Sequence, residues 1–383
     1  VQAAIGPLRR VLYVTDLDPS LRFGSLEEQI LTLARAFRER GGTFLPVFQE
    51  ALAGRTRQEF SRAEIRAEAL DLRRFHPGVL ARLLRLAREN RIDLVHWNFY
   101  HPLNPYVLGL SILAPYLSHI LTDHNSRAVP EATRTIPPHT FWPRRLMKRL
   151  LLRRYRRAIG ISEFVRQCLE EQGVWRNVSS CLYFVNTERF APRPETRAVM
   201  RRDLLAGDRF VVLLVAQLIK AKGVDVLLRA LTRLPDHVVT WVVGDGEEGD
   251  RLRCLARELG VTRRVRFFGY QADVSDFMQG ADCLVVPSLW QEAVGLVVLE
   301  GMSTGLPVIG SAVGGIPEFI DDGRAGFLVE AGNVSQLAER IGQLASDPDL
   351  RTRLGLAART AALARFAPER RLGDHLSLYE ART

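Results

Sequence analysis

Apolar positions along this chain alternate between short unbroken runs and longer stretches with helical spacing. Val11 to Thr15 is a β-branched and aromatic run, which predicts a strand ending at Asp16. Ser25-Leu26-Glu27-Glu28 then has the form of a capping box, and Ile30, Leu33, Ala34 and Phe37 keep helical period up to a Gly41-Gly42 stop. Strand, glycine turn and helix in that order open a nucleotide-binding fold. Glu50 to Arg74 is predicted polar and helical. Val79 to Asn90 predicts a helix, Ile92 to His96 a strand, and His96 to His101 the loop after it. Open α/β sheets place ligands in such loops, so His96 and Asn98 are candidates for lining an acceptor, or else for the edge of the core. Tyr106 to Leu117 predicts a helix cut short at Pro115. Ile120 to Thr122 is the next strand, followed by Asp123-His124-Asn125-Ser126-Arg127, where Arg127 could meet an anionic acceptor. Ala158 to Ser162 predicts a strand running into a helix from Glu163 to Gln172.

The same rhythm resumes beyond Pro192 and Pro194. Strands are predicted at Phe210–Ala216, Val238–Val243, Val265–Phe268, Cys283–Val286 and Val308–Ser311, the first a continuous apolar run as expected in a parallel sheet. A helix begins after Glu292 and runs to Ser303, with Gly305 and Pro307 as its stop. Helices at Val334–Leu344, Asp349–Phe366 and Glu369–Tyr379 close the chain. Alternation of this kind predicts an α/β protein with parallel sheets, and 383 residues suit two domains.

Composition narrows this only a little. With 47% hydrophobic and 25% charged residues the chain is a folded protein rather than a disordered one. Cys168, Cys181, Cys254 and Cys283 form no CxxC pair, so they are expected to be reduced thiols with no metal site. Neither a long apolar run nor a leader-like start is present, and the expected location is cytoplasmic, with peripheral contact at the inner membrane face left open. The net charge of +10 is carried by arginine, lysine occurring only at positions 148, 220 and 222. That excess favours an anionic surface or substrate, although an arginine-rich genome explains it equally. Residues 141–157 carry eight cations and no acid, which suits anionic lipid headgroups. The cations fall at nearly all helix angles, however, as on an ordinary solvated helix. No nucleic-acid recognition motif accompanies them. Asp16-Leu17-Asp18 spells a metal-binding D-x-D, but acids at a strand end are read here as turn formers.

The chemistry concentrates between Val285 and Glu330. Glu292 and Glu300 are eight steps apart; on one helix that is about 80° in projection and roughly 12 Å along the axis. They suit two ends of one elongated ligand rather than one atom. Between them the expected helix start, Ala293-Val294-Gly295-Leu296, offers backbone N–H groups and a positive dipole end to an anion. Hydroxyls at both ends with negative charge between describe a nucleotide sugar; ordinary helix-end and salt-bridge glutamates are the alternative. Two of the three lysines, Lys220 and Lys222, stand just before a helix, an arrangement that binds phosphate.

E-x7-E followed by G-x-P-V-I-G-x-x-x-G-G-I-P-E resembles the signature of the family 4 retaining glycosyltransferases. The resemblance implies the GT-B fold, two Rossmann-like domains facing a cleft, with the C-terminal helix crossing back to the first. It implies that Glu300 holds ribose, that Glu292 lies against the donor sugar, and that Gly295 and Leu296 meet the diphosphate through their backbone. Gly24-Ser25 stands for a Gly-Gly pair facing donor phosphate and acceptor, and His124 for the histidine that contacts the donor sugar. Lys222 matches a diphosphate-binding lysine, while Gln217 replaces an arginine. Gly244 lies in a Gly-Asp-Gly segment, and Tyr270 in an F-x-Gly-Tyr segment beside the base. Leu182 to Phe190 resembles the interdomain connector, with Tyr-Phe-Val-Asn where Asn-Gly-Val-Asp is usual. The implied domains are 1–186 completed by 368–383, and 187–367. The implied reaction moves a sugar from a nucleoside diphosphate, UDP favoured over GDP, to an acceptor hydroxyl with retention and without metal or other cofactor. An epimerase or hydrolase of the same fold, or a non-catalytic nucleotide-sugar binder, are the alternatives.

Overall fold

Parallel strands covered on both faces need unbroken apolar runs, and central strands of this computed structural model, Val11–Thr15, Phe210–Val215 and Cys283–Val286 among them, are built from such runs. The residues described are 8–20, 23–101, 104–124, 155–171 and 177–380. Contacts divide the chain into two units, Val1–Tyr183 with Glu369–Thr383, and Phe184–Pro368.

In the first unit the strands are β1 (Val11–Thr15), β2 (Phe44–Phe48), β3 (Glu68–Ala69), β4 (Leu94–Asn98), β5 (Ser118–Asp123), β6 (Tyr155–Gly160) and β7 (Val178–Ser180). They form one parallel sheet in the order β3-β2-β1-β4-β5-β6-β7. The helices are α1 (Ser25–Glu39), α2 (Gly54–Arg62), α3 (Pro77–Glu89), α4 (Pro105–Leu113) and α5 (Glu163–Glu171). Pleating sends Val11 and Tyr13 to one core with Ile30, Leu33 and Phe37 of α1, and Leu12 and Val14 to another with Leu83 and Leu86 of α3.

The second unit holds α6 (Pro194–Asp203), β8 (Phe210–Val215), α7 (Val224–Leu231), β9 (Val238–Val243), α8 (Gly249–Glu258), β10 (Val265–Phe267), α9 (Ser275–Gly280), β11 (Cys283–Val286), α10 (Leu296–Thr304), β12 (Val308–Ser311), β13 (Gly326–Val329), α11 (Val334–Ser346) and α12 (Pro348–Phe366). Its parallel sheet runs β10-β9-β8-β11-β12-β13. The last helix, α13 (Pro368–Ser377), belongs chiefly to the first unit. Leu376 and Tyr379 are buried in the first core, and Arg9 N donates to Tyr379 O at 2.9 Å.

Three sequence expectations are corrected here. Glu50–Arg74 is not one helix; only Gly54–Arg62 is helical, before the short β3. Ser25 is not the N-cap of α1. Gly24 occupies that position, its N–H donating to Glu27 Oε2 at 2.9 Å, so only the glutamate half of a capping box forms, one residue earlier. Finally, β4 extends to Asn98, because His96 and Asn98 pair in register with β1 and β5.

Asp282 fastens α6 to the second sheet. Its buried carboxylate receives Arg197 Nη2 at 2.7 Å, Arg201 Nη1 at 3.0 Å and the N–H of Val211 at 2.7 Å. Removing it strands a largely buried guanidinium. Asp282→Ala is expected to destabilise the second unit by about 3 kcal/mol. Urea unfolding checks this; an unchanged midpoint would show that the cluster contributes nothing net.

Candidate functional site

In open parallel sheets, loops at the carboxyl ends diverge where the strand order reverses, leaving a crevice. In the second sheet that point lies between β8 and β11. The loop after β8 ends in a 3-10 turn, Lys220–Lys222, and at Gly223, whose φ is 63°. A Cβ there would stand 2.0 Å from Pro287 O in the loop after β11, so only glycine permits the approach. Leu289 N donates to Ala221 O at 2.8 Å and ties the same two loops. The result is an ion pair across the crevice, Lys222 Nζ to Glu292 Oε1 at 2.5 Å, with Ser288 Oγ donating to the same oxygen at 2.8 Å.

A second glycine sets the other side of Glu292. Gly314, with φ 56°, lies so close that a Cβ would come 2.2 Å from Glu292 O, and Gly315 N donates to that carbonyl at 2.7 Å. Glu292 is therefore held by its backbone in a loop. The expectation that α10 begins at Ala293 is corrected: the helix starts at Leu296, with Gly295 as a left-handed N-cap at φ 70°. The helical projection relating Glu292 to Glu300 does not apply. Glu300 is half-buried and lies about one turn, roughly 6 Å, into α10. Val298 N donates to Gly295 O at 2.8 Å, while the N–H groups of Leu296 and Val297 before it have no intrahelical acceptor, so the end remains suited to an anion. Gly244 after β9 has φ 133°, and its N–H donates to Gly269 O at 2.8 Å, beside the half-exposed Tyr270 after β10. Gln217 is exposed, with its backbone oxygen accepting from Ile219 N at 2.9 Å. The second unit thus sets Gln217, Lys222, Gly244, Tyr270, Glu292, Gly295, Leu296 and Glu300 along the carboxyl ends of one sheet and its adjoining loops.

In the first sheet the order reverses between β1 and β4. Gly24 and Ser25 follow β1 and open α1. Asp16 and Asp18 are engaged locally: Gln49 Nε2 donates to Asp16 Oδ1 at 2.7 Å, and Ser20 N to Asp18 Oδ1 at 2.9 Å. His96 is corrected as an acceptor-lining residue. It is buried within β4, with Nδ1 2.7 Å from Tyr379 Oη and Nε2 2.6 Å from Thr122 Oγ1. Asn98 also lies in the strand rather than a loop, and its buried Nδ2 has no hydrogen-bond partner. Arg127 and residues 141–154 of the basic tract lie outside the described residues.

His124 follows β5, stacked on Phe99 with ring centroids 3.6 Å apart. Tyr183 Oη lies 2.8 Å from its Nδ1 and 3.2 Å from Nε2. Loss of water pushes the imidazole pKa below its ordinary value, and burial holds the Tyr183 phenol well above its own. Tyr183 therefore donates to one ring nitrogen of a neutral His124, leaving the other as an N–H donor. The Tyr183 ring lies parallel to His375 of α13, whose Nε2 is 3.0 Å from Leu182 O and 3.2 Å from Gln29 Nε2 of α1.

Two family models match this chain. One, described as Glycosyltransferase Family 4, covers residues 26–189, and the other, Glycosyl transferases group 1, covers residues 196–361. The chain belongs to family 4 of the glycosyltransferases. The lipopolysaccharide core biosynthesis glycosyltransferase LpsE of Rhizobium meliloti is 37% identical over 172 residues, 45% of this chain and 50% of that protein. A GDP-mannose-dependent phosphatidylinositol monomannoside mannosyltransferase of Mycolicibacterium smegmatis is 36% identical over 191 residues, 47% of this chain and 50% of that protein. The chain spans about half the length of the curated relatives it matches. Among solved structures, a glycosyltransferase from Rickettsia africae superposes with a TM-score of 0.80 at 20% identity, covering 97% of this chain and 98% of that one. HepE of Anabaena, in complex with UDP-glucose, gives 0.77 at 21% identity with the same coverage. The fold is GT-B.

Sequence reasoning missed three residues that contact the candidates in their own units. Ser288 lies in a turn with no pattern of its own. Phe99 has φ 67°, a strained conformation for a bulky residue that costs about 1–3 kcal/mol and that no motif announces. Tyr183 was legible only as a departure from the usual connector.

Tyr183→Phe keeps the ring and removes the hydroxyl. Nitrogen-15 NMR of the His124 ring is expected to change from one tautomer to a mixture; an unchanged spectrum would mean that Tyr183 does not set it. Burial also pushes the pKa of His96 down to about 3 and of His375 to about 4, from an ordinary 6.5. The unfolded chain then binds more protons than the folded one below about pH 6.5, so this stability is complete above that pH and is lost as pH falls toward 4. Melting of the first unit between about pH 7.5 and about pH 4.5 tests this, with His96→Gln expected to flatten the dependence.

Proposed function

We propose that this chain is a retaining glycosyltransferase that moves a sugar from a nucleoside diphosphate to an acceptor hydroxyl. The observation that carries the reading is the Lys222–Glu292 pair, brought together from two loops at the switch point beside the start of α10. The bond between the anomeric carbon and the diphosphate oxygen breaks, and negative charge builds on the diphosphate. Lys222 and the N–H groups at Leu296 are fixed in advance to meet that charge, which lowers the barrier. Lys222 exchanges its carboxylate partner for phosphate oxygen, freeing Glu292 for the sugar, with Ser288 as its remaining hydrogen-bond donor. Glu300 anchors the ribose, and His124 offers its N–H to the donor sugar. The acceptor oxygen bonds to the anomeric carbon on the face the diphosphate leaves, and its proton passes to the departing phosphate oxygen. No metal is assigned to the step.

A UDP-sugar is the favoured donor, supported by the UDP-glucose complex of HepE; the GDP-mannose-dependent relative keeps a GDP-sugar in view. The relatives named for lipopolysaccharide and phosphatidylinositol mannoside support an anionic, lipid-linked acceptor reached at a membrane surface. Among the described residues no helix is long and apolar enough to cross a membrane. Gln217, in place of the usual arginine, leaves the diphosphate with one cation fewer.

Thermal-shift screening against nucleotide sugars, followed by turnover with and without acceptor, tests the proposal. Donor consumed without acceptor would point to a hydrolase or epimerase, and tight binding without turnover to a non-catalytic binder. Lys222→Ala and Glu300→Ala are each expected to raise donor KM about tenfold, ~1.4 kcal/mol. Glu292→Ala should lower kcat about a hundredfold, and the Lys222/Glu292 double change should be less than additive because the two side chains touch. Near-normal kinetics in all of these variants would defeat the assignment.

A further inference from the structure

The second sheet carries another cavity, at the opposite ends of its strands. About 200 Å3 in volume, it lies against the early residues of β9 and β10, with Arg209, Arg263, Arg264, Arg266, Trp241 and Leu205 among its lining. Because β10 is the sheet edge and β9 separates it from β8, this place is distinct from the Lys222–Glu292 crevice. No carboxylate stands among the described residues that line it.

Three of its arginines are tethered to backbone carbonyls. Arg209 Nε donates to Ala206 O at 3.2 Å, Arg264 Nε to Val238 O at 3.0 Å, and Arg266 Nη1 to Leu204 O at 3.5 Å. The Arg266 guanidinium also lies over the Phe268 ring, 4.8 Å from its centroid. Asp236 lies 3.5 Å from Arg264 and is fully exposed, where water screens it. Nη2 of Arg264 is buried without any hydrogen-bond partner, and burial lowers that side chain's pKa from its ordinary value. A carbonyl fixes a guanidinium in place without neutralising it. Here charge is gathered and oriented, and one charged N–H is left unmet, which is costly unless an anion completes it.

Planar forks of N–H donors match the oxygens of a phosphate. A cavity of this size exceeds the ~30 Å3 share of one water and falls below the ~300 Å3 at which drug-sized ligand pockets begin. It therefore suits a phosphate group with a small attachment, not a whole nucleotide sugar. We propose that this arginine-lined cavity binds a phosphate group, carried by a small soluble ester or by a lipid headgroup.

The test is calorimetric titration of the full chain with inorganic phosphate, at ionic strength held constant with sodium chloride. Arg266 is exposed, so Arg266→Gln should keep the fold, verified by its melting curve; Arg264→Gln is the second variant, and Lys222→Ala separates any phosphate bound in the donor crevice. Saturable binding weakened at least tenfold by either arginine change and unaltered by Lys222→Ala is the expected result. Co-sedimentation with phosphatidylglycerol–phosphatidylcholine vesicles, against phosphatidylcholine alone, distinguishes the source: capture reduced by Arg266→Gln assigns the headgroup, and phosphate binding without capture assigns a soluble ester. The proposal is overturned if neither phosphate nor vesicles bind. It is likewise overturned if binding in both arginine variants equals that of the unmodified chain, or if only Lys222→Ala abolishes it.

Discussion

The candidate donor site depends on how closely two loop backbones can approach. Gly223 against Pro287 and Gly314 against Glu292 leave no room for a side chain, and that contact sets where Lys222 and Glu292 meet. Charge attraction alone would not fix the pair, because a partly exposed ion pair contributes little and its flexible side chains cost entropy. Backbone contact removes much of that freedom beforehand. Gly295 adds a left-handed turn, at φ 70°, from which α10 starts late, so that Glu292 stays off the helix and Glu300 stays on it.

Much of this was legible in the sequence, for physical reasons. Strands buried on both faces have to be apolar throughout, so Phe210–Val215 and Val238–Val243 read plainly. Glycines with no side-chain alternative, Gly223 and Gly314, mark their turns wherever they occur. What could not be read was decided at long range. The polar run at His96 to Asn98 looks like a loop, yet His96 is satisfied by Tyr379, nearly three hundred residues away. Helical periodicity continued through Ala293 and Val294 because both are apolar, although they are buried as loop residues. The cap slipped by one position because Glu27 receives the N–H of Gly24, a backbone bond that needs no serine side chain.

The first unit solves a different problem from the second. One series of its buried polar side chains is linked internally, from Gln29 through His375 and the Leu182–Tyr183 segment to His124. Low dielectric makes such networks rigid when complete and fragile when one member is lost. A neutral imidazole held this way presents one defined N–H, which a freely rotating surface histidine does not.

The placement of α13 also bears on how the chain is made. Leu376, Leu378 and Tyr379 complete a core whose other buried members lie within the first 181 residues, while everything between Phe184 and Pro368 forms the other unit. During synthesis from the amino end, the earlier half must wait, with an apolar flank open, until the later half has been produced. The lobe that starts first is the one finished last, and chaperone demand should centre on that interval.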